Sequence, residues 1–98
     1  MTLEFINGSQ AGESIVVDQF PFIIGRDKDN NLEIRDDGGV SGVHCEIYRE
    51  DNKYKLVDKK STRGTFIDFS RQPLENAVVI GNGMYIRLNK SVFRVLIE

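Results

Sequence analysis

VSGVHCEIYRE, residues 40–50, contains the only histidine and the only cysteine of the chain. Side chains alternate between faces along a strand, so HCEIYR puts Cys45 and Ile47 on one face and His44, Glu46 and Tyr48 on the other. A small apolar face backed by a polar one is the pattern of a half-buried strand. The same period of two runs outward in both directions. Leu3 and Phe5 share a face in TLEFI, Leu32 and Ile34 in LEIR, and Tyr54 and Leu56 in YKLVD. Ile86 and Leu88 do so in YIRL, and Phe93, Val95 and Ile97 in FRVLI. SIVVD (14–18) and PFIIG (21–25) are continuous apolar runs, which predict strands buried on both faces.

Turn-forming pairs separate these runs: Asn7-Gly8, Ala11-Gly12, Asn30-Asn31, Gly38-Gly39, Asp51-Asn52, Arg63-Gly64 and Asn82-Gly83. Their spacing of roughly eight to twelve residues is the rhythm of an antiparallel sandwich. No stretch carries a sustained 3.6-residue period, so essentially no helix is expected. The 98 residues, 40% apolar and 29% charged, suit a single domain with one modest core, spanning 1–98.

Composition narrows the function classes. A net charge of −2 argues against a generally basic nucleic-acid binder, because sequence-independent affinity for nucleic acid needs clustered cations. One cysteine makes no internal disulfide, and one cysteine with one histidine makes a poor structural metal site, so no metal is expected and a reducing, cytoplasmic setting is. The N-terminus lacks the basic head and apolar run of a signal peptide, and no apolar run reaches the ~18 residues of a membrane helix, so no membrane partner is expected.

Ser41, His44 and Cys45 lie close enough together to suggest a nucleophile. Cys45 and His44 are strand neighbours on opposite faces and cannot act as nucleophile and base, and Cys45 reads as a core residue. Ser41 with His44 lacks an orienting acid, preorganised oxyanion donors and any nucleophile elbow, so catalysis is not expected. The same residue types suit a bound phosphate better. Arginine offers a planar fork of donors, and serine and threonine hydroxyls add neutral ones. Arg26, Ser41, Thr62 and Arg63 are the candidates, and Asp58–Thr65 carries three cations against one anion. The loops that hold them meet if the third, fifth and sixth strands end at one edge of the sandwich.

Gly25-Arg26 after an apolar strand, S-x-x-H at 41–44 and STRGTF at 61–66 follow one another in the order and spacing of the forkhead-associated (FHA) domain, which the chain resembles from FIIGRDKDNNLEI to its C-terminus. The resemblance implies a sandwich of about eleven mostly antiparallel strands that binds phosphothreonine in partner proteins and is not an enzyme. It implies that Arg26 contacts the phosphate, Ser41 donates its hydroxyl and Thr62 adds a hydrogen bond. His44, Gly25 and Gly64 would support the binding loops. A threonine-phosphorylated protein or peptide, and behind it a Ser/Thr kinase, would be the partner of a monomeric module of a longer chain, with no cofactor. The alternative is a scaffold of the same fold that binds a partner without phosphate, for which the acidic run RDDGG (35–39) would offer an exposed electrostatic contact.

The chain departs from the family pattern at four positions. Arg63 stands where an asparagine is usual, and its donors cannot replace an amide's acceptor, so it would add a cation to the phosphate or select a nearby acidic residue. Gly42 stands where an arginine is frequent, which removes a side chain expected to influence peptide preference. Met84 and Asn89 replace an aspartate and a glycine, changes expected to affect a turn and leave the site alone.

Overall fold

The computed structural model describes residues 1–98 as ten strands with no helix: β1 (Thr2–Phe5), β2 (Ser14–Val16), β3 (Phe22–Gly25), β4 (Leu32–Glu33), β5 (Cys45–Glu50), β6 (Lys53–Asp58), β7 (Thr65–Ile67), β8 (Val78–Ile80), β9 (Tyr85–Leu88) and β10 (Ser91–Leu96). They form two five-stranded sheets, in the orders β2-β1-β10-β9-β7 and β4-β3-β5-β6-β8. Every pairing is antiparallel except that of β3 with β4. There are ten strands rather than about eleven. Between β7 and β8 the chain bonds back to β7 only through a turn, from Ser70 N to Ile67 O, and through Leu74 N to Thr65 O, and Pro73 has no N–H with which to extend a ladder.

The alternation read from the sequence sorts the core. Leu3, Phe5, Ile86, Leu88, Phe93 and Val95 of one sheet meet Phe22, Ile24, Leu32, Cys45, Ile47, Leu56 and Ile80 of the other, all within a single buried cluster. Phe5 and Phe93 sit edge-to-face at 4.8 Å. The SIVVD run departs from its expected burial on both faces. β2 is an edge strand, paired to β1 alone, and Val16 is 60% exposed while Val17 is buried. A continuous apolar run shows that a segment suits a strand, but not whether a sheet covers both its faces.

The register places one end of the molecule. Ile24 pairs with Cys45 and Cys45 with Asp58, so the C-terminal ends of β3 and β6 and the start of β5 lie side by side. The loops 26–31, 34–44 and 59–64 therefore converge on that edge. No helix of the structure is long and apolar enough to cross a membrane.

The core and the β2 edge should respond differently to substitution. Phe93→Ala removes a fully buried ring and should cost about 3–5 kcal/mol, whereas Val16→Thr should stay within about 0.5 kcal/mol. Denaturant titration of both variants measures the difference.

Candidate functional site

His44 precedes β5 by one residue and lies under the converging loops, fully buried. Its backbone N–H donates to Ile24 O at 2.8 Å, which fixes the residue at the end of β3. Ring Nδ1 accepts the Ser41 N–H at 3.1 Å, and ring Nε2 lies 2.8 Å from Gly64 O. A carbonyl only accepts, so Nε2 carries the proton and Nδ1 does not; the neutral imidazole in this tautomer satisfies both partners. One ring thus joins the loop before β5 to the loop after β6. Sequence alternation places His44 on the solvent face, and the loops folded over that face bury it.

Three glycines act in different ways. A Cβ on Gly25 would lie 2.2 Å from Gly42 O, so glycine here admits the backbone of 41–42, whose carbonyls accept Arg26 N and Asp27 N. Gly64 has φ +87°, and a Cβ there would meet Pro73 at 2.9 Å, so both conformation and space call for glycine. Gly42 O also accepts Asn30 Nδ2 at 2.7 Å, and the Asp27 carboxylate lies where a Gly42 side chain would begin.

The loop after β6 is held from within. Asp58 accepts the Ser61 N–H at 3.0 Å, the Ser61 hydroxyl at 2.5 Å and the Thr65 hydroxyl at 2.6 Å. Ser61 Oγ in turn accepts the Gly64 N–H at 2.9 Å. Burial pushes the Asp58 carboxyl up, but the Ser61 and Thr65 hydrogen bonds outweigh it and hold the group below its ordinary 3.8. A second carboxylate, Asp37, is buried and braces the loop before β5. It accepts Asn89 Nδ2 at 2.6 Å, Lys90 N at 2.9 Å, Ser91 Oγ at 2.9 Å and Gly39 N at 3.2 Å. Burial opposes ionisation here too, and the bonds from Asn89, Ser91 and the two amides win.

Two sequence expectations change on this geometry. Asp37 is 6% exposed, so RDDGG is not a wholly exposed acidic run: one of its carboxylates faces inward onto β9–β10. Asn89 does adopt left-handed backbone, at φ 53°, but it does not leave the site alone. Its amide packs where a Gly39 side chain would be and donates to Asp37, so it positions the loop that carries Val40 and Ser41. Met84 stays within its turn, receiving the Gly81 N–H on sulfur at 3.0 Å.

The candidate donors meet above this framework. Arg26, Val40, Ser41, Thr62 and Arg63, with Gly38 and Gly39, line an open cavity of about 190 Å³. Arg26 Nε donates to Val40 O at 2.7 Å, which orients the guanidinium and leaves its two terminal nitrogens without a protein partner. Ser41 Oγ accepts the Thr62 N–H at 3.0 Å, so its own proton stays available to a ligand. The Thr62 and Arg63 side chains are exposed and unpaired. Gly42 lies beside this group without lining the cavity. Cys45 is fully buried below it, and burial pushes its thiol far up, as for a core residue.

Asp58, Ser61, Asp37 and Asn30 were absent from the sequence-level set. The D-x-x-S spacing of Asp58 and Ser61 is a local turn signal that could have marked that pair. Asp37 has no such signal, since three of its four donors lie more than fifty positions away.

A β-sandwich with a cluster of free phosphate-type donors on loops at one edge has the chemistry to hold an anion. The FHA domain family model matches residues 22–89, and the chain belongs to that family. An oxoglutarate dehydrogenase inhibitor from Corynebacterium jeikeium is 35% identical over 83 residues, 85% of this chain and 55% of its own. The glycogen accumulation regulator GarA of Mycobacterium tuberculosis is 34% identical over 85% of this chain and 49% of its own. The chain thus spans about half the length of these curated relatives. A structure described as an analysis of phosphothreonine-dependent FHA domain interactions superposes with a TM-score of 0.85 at 31% identity, covering 99% of this chain and 95% of the other.

Two outcomes follow from the bracing. His44→Ala leaves the Ser41 N–H and the Gly64 carbonyl unpaired and should cost roughly 2–4 kcal/mol in denaturant titration. Asp37 and Asp58 have lowered folded values, so their stabilisation is complete above about 3.8 and is lost as pH falls below it. Asp58→Asn should flatten part of that acid loss in a series of denaturation midpoints, and an unchanged slope would show that Asp58 contributes none of it.

Proposed function

We propose that residues 1–98 form one module that binds phosphothreonine in a partner protein and does not itself catalyse a reaction. The observation that carries this reading is the pairing of Arg26 and Ser41. The guanidinium is oriented by Val40 O with two nitrogens free, and the neighbouring hydroxyl has its acceptor side occupied and its proton free. A phosphothreonine brings about −1.5 to −2 charge and strong acceptor oxygens, the complement of these donors. Thr62 Oγ1 and the Arg63 guanidinium add donors from the facing loop, and Gly25, His44 and Gly64 keep the two loops at a fixed separation.

Family membership supports the reading, as does the likeness to FHA domains studied for phosphothreonine-dependent interactions. The binding needs no cofactor or metal, and the module acts in signalling as a monomer, downstream of a Ser/Thr kinase in the cytoplasm. The phosphate-independent alternative draws less support, because the acidic run it relied on is half consumed by the fold.

The test is a titration with phosphothreonine, phosphoserine and unphosphorylated peptides drawn from one degenerate library. Each charge-assisted hydrogen bond contributes roughly 1.5–3 kcal/mol, so Arg26→Ala should weaken phosphothreonine binding about tenfold or more. Binding should be micromolar and should weaken with salt. Affinity indifferent to the phosphate and to Arg26 would establish the phosphate-independent scaffold instead.

A further inference from the structure

A second cavity, of about 390 Å³, opens directly beside the first and is lined by no apolar residue. Its walls are Asp36, Asp37, Gly38, Gly39, Asn89 and Lys90, with Arg63 between the two cavities. Gly38, Gly39 and Arg63 line both, so the two cavities adjoin.

The formal charges of the walls, two cations and two anions, cancel. What differs is their availability. Asp37 is buried and saturated by four donors from its own loop and the β9–β10 turn. Asp36 is engaged by the Ser9 hydroxyl. The side chains of Arg63 and Lys90 have neither a hydrogen bond nor an ion pair, although the chain as a whole is acidic. Both are exposed. Asp37 is thus spent within the fold and Asp36 holds one hydroxyl of the neighbouring loop, while the two cations have no partner.

From this imbalance we propose that the Arg63–Lys90 cavity is a second anion subsite, which takes a negatively charged side chain of the bound peptide near the phosphothreonine. Two sources share that chemistry, a carboxylate and a second phosphate. Arginine presents a planar fork to either, and lysine a point charge. The floor suits a polar chain as well. Gly38 has nothing within 4 Å of a notional Cβ, so peptide backbone can approach there. Asn89, fixed by its bond to Asp37, holds the turn that presents Lys90. The inference rests on the phosphothreonine reading and assigns Arg63 to peptide selection, beyond the primary phosphate.

The experiment measures a ratio. Phosphothreonine peptides are synthesised with glutamate, a second phosphothreonine, alanine or lysine at each flanking position in turn, and titrated against the intact 98-residue chain. At one flank position glutamate should bind roughly three- to tenfold tighter than alanine, and a second phosphate tighter still, with lysine weaker than alanine. In Arg63→Gln and Lys90→Gln proteins, and more so in the double variant, the ratio of anionic to alanine peptide should collapse toward one. Raising salt should shrink it in the unmodified protein. A ratio near one at every position, a preference for lysine, or a ratio that survives the double variant overturns the subsite. The alanine-flanked peptide separates the two readings. If it binds and depends on Arg26, the phosphothreonine reading stands whatever the flank shows; if it does not bind, that reading fails first.

Discussion

Both ring nitrogens of His44 are spent on backbone groups of two loops, the Ser41 amide and the Gly64 carbonyl, inside a pocket from which water is excluded. A buried, satisfied polar bridge of this kind is costly to break, because each partner would lose its hydrogen bond without regaining water. It therefore fixes the distance between the segment that carries Ser41 and the segment that carries Thr62 and Arg63. The remaining order of the edge builds on that separation. Ser41 Oγ can accept the Thr62 amide only because the loops are held together, and Arg26 can lean on Val40 O only because Gly25 lets the same backbone close over it.

Two carboxylates extend the frame in opposite directions. Asp58 stiffens one loop from within, through Ser61 and Thr65, and Asp37 fastens the other to the β9–β10 turn. Both are held ionised against burial by donated hydrogen bonds, so their acceptor oxygens are occupied within the fold although their charge remains. The positive groups are treated differently. Arg26 is oriented but not consumed, and Arg63 is left free. Arg26 and Ser41 are thus set in place before any ligand arrives, which lowers the ordering cost of binding at those two donors.

Much of this was legible in the chain. The alternation of Leu3 with Phe5, Cys45 with Ile47 and Ile86 with Leu88 named core positions that the structure buries. The candidates Arg26, Ser41, Thr62 and Arg63 do come together at one cavity. SIVVD was misread because an apolar run says nothing about which strand ends up at an edge. Asn89 was misjudged because its effect reaches the site through Asp37, far away in sequence. Asp37 itself looked like surface charge, since an aspartate beside two glycines is ordinarily a solvated turn.

By itself, the sequence determined the strand content, the inward-facing residues and the order of the three loop motifs. These depend on neighbours within a few positions, and the pleat and the turn chemistry are local properties. Only the tertiary structure decided which side chains are free to meet a ligand and which are already spent. That difference depends on partners brought together from distant parts of the chain, such as Gly64 for His44 and Ser91 for Asp37. Two aspartates or two arginines look alike in a sequence until packing gives one of them a partner.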